Sequence, residues 1–173
     1  VDNDPIVLVH ARALLTDSPS TRVIKADLRE PAGILGHEDI QGFIDFDQPV
    51  ALLMLAILHF VPDEADPYGI VETLKRPLRA GSYVVLSHGH AGKVSHDVEA
   101  QVRGAYGRTG AGDIIPRPPE RVMPFFDGCD LLPPGLVPVE DWDPGTDFFE
   151  PELTLGGFIG GVGRVRGAHG LPG

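Results

Sequence analysis

The sequence predicts an α/β fold: a mostly parallel sheet with helices between its strands, closing on an antiparallel finish. Three observations carry this expectation. Helical and strand-like patterns alternate from the first residues onward. Residues 50–58 (VALLMLAIL) are apolar at every position, as in a parallel strand covered by helices on both faces. Two strand-like segments, 136–139 and 158–165, then fall close together near the end.

Each element has a local reason. In the opening VDNDP, Asp4 can cap a helix whose first position is Pro5, the favoured place for proline. Val7, Ala11, Leu14 and Leu15 recur at helical spacing, and Ser18-Pro19-Ser20 ends the run. Residues 22–28 (RVIKADL) read as a short strand, and residues 31–46 as a helical stretch interrupted by glycine. After the apolar strand 50–58 comes a helix over 66–79, its last turn disturbed by Pro77 and stopped by Ala80-Gly81. Residues 82–87 (SYVVLS) are the next strand, and Ser95 can cap a helix through about Arg108. The stretch 110–125 is rich in Gly and Pro and predicts loop, with a short helix over 119–126. The tail from Gly167 is expected to fray.

Bulk properties narrow the function classes. The 173 residues suffice for one domain with a real core, and 42% hydrophobic with 23% charged residues is an ordinary globular balance. The single Cys129 excludes an internal disulfide and fits a reducing compartment, so a cytoplasmic location is expected. No apolar run approaches the roughly 20 residues of a membrane helix. The net charge of −11 opposes a phosphate-tracking groove, which argues against a nucleic-acid partner.

Three separated motifs then converge. They are VDNDP at a strand tip, Ala26-Asp27-Leu28 at the next tip, and LAILHFVPD over residues 55–63. With GSYVVLSH (81–88) and a segment running from FFDG to PGLVPV (125–139), they resemble the class I, Rossmann-like S-adenosylmethionine-dependent methyltransferases. The likeness is to an actinobacterial family long catalogued as a domain of unknown function, and it covers nearly the whole chain. It implies a sheet of order 3-2-1-4-5-7-6 with strand 7 antiparallel, and residues 1–166 as the S-adenosylmethionine-binding domain. Strand 1, its Gly-rich loop and most of strand 2 are then expected before Val1. On that reading the edge of strand 50–58 is left unpaired, and the chain by itself is expected to be poorly soluble or molten.

The resemblance also assigns roles. Asp2, ending a strand in the crevice where such sheets bind ligands, would accept the ribose hydroxyls of S-adenosyl-L-methionine; the alternative is a helix cap, for which Asp4 is better placed. Asn3 would lie beside the ribose or adenine, or serve as a turn residue. Asp27 would accept the adenine amino hydrogens beside the backbone of Leu28, or cap the following stretch. Leu55, Ala56 and His59 would line the sulfonium, Ala56 because close backbone approach needs a small side chain. His59 is either a general base or a polar packing group. His88, His90 and His96 lack the spacing of a metal site, Cys129 reads as buried, and Trp142 with Phe148-Phe149 either covers an acceptor pocket or packs under a loop.

The function implied is methyl transfer to a small-molecule acceptor, with homo-oligomerisation open. Two rivals stand beside it. An NAD(P)-binding oxidoreductase also uses an acid after strand 2, though Asp27, LHFVPD and the terminal strand pair speak against it. A non-enzymatic fragment of a methyltransferase would keep the fold without the site.

Overall fold

A computed structural model describes residues 1–15, 18–90, 114–142 and 157–167. Helix α1 (Pro5–Leu15) starts where expected, Asp4 Oδ1 accepting the Ile6 N–H at 2.7 Å. The residues at helical spacing do not mark its buried face. Leu8 is its buried residue, while Val7, Leu14 and Leu15 are exposed. A helix apolar nearly all round has several candidate faces, and periodicity alone does not choose between them.

The expected strand 22–28 contracts to one parallel bridge between Asp2 and Lys25, with Ile24 buried beneath it. The glycine-interrupted stretch resolves into α2 (Pro31–Leu35) and α3 (Glu38–Phe43), broken at Gly36. Strand β1 is Ala51–Met54, less than half the apolar run. At Ala56 the backbone turns left-handed, and the chain re-enters the core as a 3-10 turn, Leu58–Phe60, with Leu58 fully buried. Of the run only Met54 and Leu58 are buried, one from the strand and one from the turn, while Leu53, Leu55 and Ile57 are exposed, so hydrophobicity does not mark where the ladder stops.

Helix α4 (Pro67–Lys75) is capped by Asp66, whose side chain accepts the Gly69 N–H, and ends before the expected Arg79 because Pro77 lies one residue beyond its C-cap, Arg76. Strand β2 (Tyr83–Gly89) follows. The short helix expected over 119–126 is a single α turn, α5 (Pro119–Val122), continued by a 3-10 turn, Met123–Phe126. Strand β3 (Cys129–Leu131) had no pattern long enough to predict it, β4 shrinks to Val137–Pro138, and β5 is Phe158–Val165 as expected. The expected helix over 95–108 lies outside the described residues.

The sheet order is β1-β2-β5-β3, with β4 also pairing β5. β1 and β2 are parallel, whereas β5 runs antiparallel to β2, β3 and β4. The antiparallel finish is therefore present. Met54, Val84, Leu86, His88 and Ile159 project to one face, where they pack with Ile70, Val71 and Leu74 of α4 and with Val122, Phe125 and Phe126. On the other face Leu53 is 57% exposed, so among the described residues β1 is covered on one side, not two. Gly163 lets β3 and the aromatic turn lie close to β5: a Cβ there would come within 2.8 Å of Cys129 Cβ and 2.9 Å of Phe126 Cδ1.

Candidate functional site

Two clusters form at the carboxyl ends of the parallel segments, where open α/β sheets bind ligands. The first is built on the Asp2–Lys25 bridge, closed by Asp2 N–H to Ile24 O and Ala26 N–H to Asp2 O, both 3.1 Å. Beyond it Asp2 Oδ1 accepts the Asp4 N–H at 2.8 Å, fixing the carboxylate at the tip, while Asp4 takes the capping role. Asn3 is exposed and donates from Nδ2 to Asp27 Oδ2 at 3.3 Å. The structure thus brings Asn3 and Asp27 together across 24 residues of chain.

Arg29, which no sequence motif marks, forks the Asp27 carboxylate: Nε to Oδ1 at 2.9 Å and Nη2 to Oδ2 at 2.5 Å, with its own N–H also on Oδ1. These bonds, the Arg29 side chain foremost, hold Asp27 well below the usual carboxylate range. Asp27 is therefore an anion at any physiological pH, and its two oxygens already accept four hydrogen bonds, three from Arg29 and one from Asn3. Leu28 is half-buried and packs against the core.

The second cluster surrounds the turn after β1. Leu55 is 54% exposed and Ala56 is exposed. Ala56 has φ of 52°, the left-handed region that costs a non-glycine residue roughly 1–2 kcal/mol. Its N–H donates to Ser87 Oγ of β2 at 2.9 Å.

His59 points the other way, into the core, with 2% exposure. Its Nδ1 accepts the Gly89 N–H at 3.2 Å, so the ring proton sits on Nε2. Phe60, Phe158 and His88 pack around the ring. Burial, reinforced by His88 and Arg117, pushes its pKa down to about 4. In this arrangement the ring is neutral at pH 7, and neither nitrogen offers a substrate a basic lone pair.

Beneath His59 lies Arg117, fully buried in a stretch where glycine and proline signalled only loop. Its guanidinium donates to Leu58 O (3.1 Å), Val61 O (2.8 Å) and Asp63 Oδ1 (2.7 Å), and meets His88 Nε2 at 3.1 Å. His88 Nδ1 donates to Gly89 O at 2.7 Å, so its Nε2 is the acceptor for Arg117 and the imidazole is neutral. Burial, with Arg117 contributing, pushes His88 down to about 4 as well. Asp63 is held below the usual carboxylate range by Arg117 and then Arg121. The segment carrying Arg117 is itself pinned, through Ile115 N–H to His59 O (2.7 Å) and Arg117 N–H to Gly89 O (3.1 Å). No pattern in the sequence marks Arg117, because its acceptors lie more than 50 residues upstream, apart from His88.

The remaining candidates have local roles. Trp142 Nε1 donates to Gly160 O at 3.3 Å, and the Cys129 thiol is buried, which raises its pKa. The His90 N–H donates to Gly157 O. His96, Phe148 and Phe149 lie outside the described residues.

Comparison with known proteins bears on what these clusters serve. A family model described as S-adenosyl methyltransferase matches residues 1–166. The fold is similar to that of a DUF574 family protein from Streptomyces avermitilis, with a TM-score of 0.80 and 36% identity over 95% of this chain and 63% of that one. It is similar also to a candidate methyltransferase from Thermobifida fusca, with a TM-score of 0.81 and 30% identity over 95% and 61%. The chain thus spans less than two thirds of the length of either protein. An O-methyltransferase family protein from Burkholderia thailandensis shares the fold at 9% identity, with a TM-score of 0.60. Among curated proteins none matches. The chain belongs to the S-adenosyl methyltransferase family.

Proposed function

We propose that this member of the S-adenosyl methyltransferase family binds S-adenosyl-L-methionine along the carboxyl ends of its parallel segments and transfers the methyl group to a small-molecule acceptor. The observation that carries the reading is the meeting of Asn3 and Asp27 beside the Asp2 tip. Two carboxylates and an amide on adjacent tips suit the hydroxyls of a ribose and the amine of an adenine, the amine taking a place on Asp27 that Asn3 or Arg29 otherwise fills. Asp2 would take the ribose, Asn3 would lie beside it, and Asp27 with the Leu28 backbone would take the adenine. Leu55 and Ala56, exposed at the next strand end, would border the sulfonium with a small side chain and an apolar one.

The bound donor supplies a methyl carbon already activated by positive sulfur. What falls to the protein is holding both partners at attack distance and excluding water. His59 fits a positioning role: neutral, buried and bonded to Gly89, it supports the turn from within. The net charge of −11 favours a small acceptor over nucleic acid.

The finer arrangement we propose is the strand order 3-2-1-4-5-7-6. In support, β1, β2, β5 and β3 run in the sense of strands 4, 5, 7 and 6, and the Asp2–Lys25 bridge has the parallel sense of strands 2 and 3. The edge of β1 away from β2, which pairs with nothing among the described residues, is where strand 1 belongs in that order.

Isothermal titration with S-adenosylhomocysteine and, separately, NAD tests the reading. Binding of the first and not the second is expected, with Asp2→Ala weakening it roughly 10- to 100-fold through lost charged hydrogen bonds. Preference for NAD, or an unchanged affinity in a folded Asp2→Ala protein, would remove the assignment.

A further inference from the structure

The turn at Ala56 adopts a backbone conformation that alanine disfavours, and something must hold it there. Among the described residues the other non-glycine at positive φ is Asp66, whose side chain stabilises its own turn by capping α4. Ala56 has no such side chain. Its N–H is instead captured from the neighbouring strand, by Ser87 Oγ at 2.9 Å.

Ser87 is suited to this. It lies one residue past the last β1–β2 pair, Met54–Leu86, so it meets the chain just where β1 leaves the ladder. Its partner on the other side is Gly160 of β5, which carries no side chain to crowd the hydroxyl. The hydroxyl that accepts from Ala56 keeps its own proton to donate elsewhere.

We infer that Ser87 is a positioning residue of the donor crevice, acting through Ala56: its hydroxyl holds the left-handed turn that presents Leu55 and Ala56 at the strand end. The inference rests on the proposal that Leu55 and Ala56 border the donor, and it adds a residue which that proposal does not include. Ser87 need not touch the ligand. Its effect passes through the backbone of Ala56, and glycine, which enters the left-handed region without penalty, should make the hold dispensable.

Four proteins test it: the wild type, Ser87→Ala, Ser87→Thr and the double variant Ser87→Ala/Ala56→Gly. Two measurements are made, the affinity for S-adenosylhomocysteine by calorimetry and the hydrogen exchange of the residue-56 amide without ligand. Ser87→Ala should weaken binding about five- to tenfold, the loss of one hydrogen bond, and speed exchange at Ala56. Ser87→Thr, which keeps the hydroxyl, should stay within about threefold of the wild type. The double variant should regain most of the lost affinity. A double variant as weak as Ser87→Ala overturns the inference, since the loss would then come from a direct ligand contact or a loosened strand. So does unchanged Ala56 exchange in Ser87→Ala. A wild type that does not bind S-adenosylhomocysteine would refute the donor reading itself; the exchange measurement needs no ligand and separates that failure from this one.

Discussion

Mild acid should weaken this fold through two imidazoles. His59 and His88 are 2% and 0% exposed, each is neutral by its hydrogen bonds, and each has its pKa pushed down to about 4 from 6.5. The groups facing them reinforce burial: Arg117 stands by both, and His90 and Arg121 act on His88. A base whose pKa is lower folded than unfolded contributes stability above the unfolded value, and loses it as pH falls, because the unfolded chain takes up the proton first. Between pH 7 and pH 5 each histidine should cost about 2 kcal/mol, so the pair costs roughly 4 kcal/mol, a large part of an ordinary domain's stability. The depressed carboxylates Asp27 and Asp63 do not blur this window, since their contribution is lost only as pH falls below their unfolded value near 3.8. Urea melts at pH 7, 6 and 5 measure the slope. His88→Gln keeps an acceptor for Arg117 without the titration and should remove about half of the drop. Stability constant to within about 1 kcal/mol from pH 7 to 5, or a full drop in His88→Gln, would refute the claim that these rings are buried and neutral.

Arg117→Met should destabilise by about 2–4 kcal/mol in a denaturant melt, because the Leu58 and Val61 carbonyls lose their donor while Asp63, half-exposed, turns to water. A loss below about 1 kcal/mol would mean that the carbonyls find other partners. Gly163→Ala should cost about 1–3 kcal/mol, as its Cβ meets Cys129 and Phe126 inside 3.0 Å. Gly42→Ala, within α3 and with open space around the new methyl, should instead stabilise by about 0.5–1 kcal/mol. Thermal melts should shift in opposite directions; a Gly163→Ala protein that melts no lower than the wild type would contradict the packing around β5, and a Gly42→Ala protein that melts lower would contradict the open space at α3.

Much of the fold was legible because its signals are local. Asp4 before Pro5 announces α1, the helical stretch opening at Asp66 announces α4, and the strand-like segment 158–165 announces β5. A cap or turn acts across a few residues of chain, so the sequence states it directly. The strand-tip acids were legible through family likeness, and the structure then joined Asn3 to Asp27.

What stayed hidden depends on partners far along the chain. Residues 50–58 could not show that β1 ends at Met54, because buried Met54 and Leu58 and exposed Leu53, Leu55 and Ile57 are alike apolar. Nothing beside Ala56 in sequence specifies a left-handed turn; the hydroxyl that supports it arrives 31 residues later, on β2. Arg117 is the clearest case. A guanidinium in a proline-rich loop reads as surface, and only the folded chain assembles two carbonyls, an imidazole and a carboxylate around it. Burying that charge is tolerable solely where its acceptors already stand, and tertiary packing, not local propensity, puts them there.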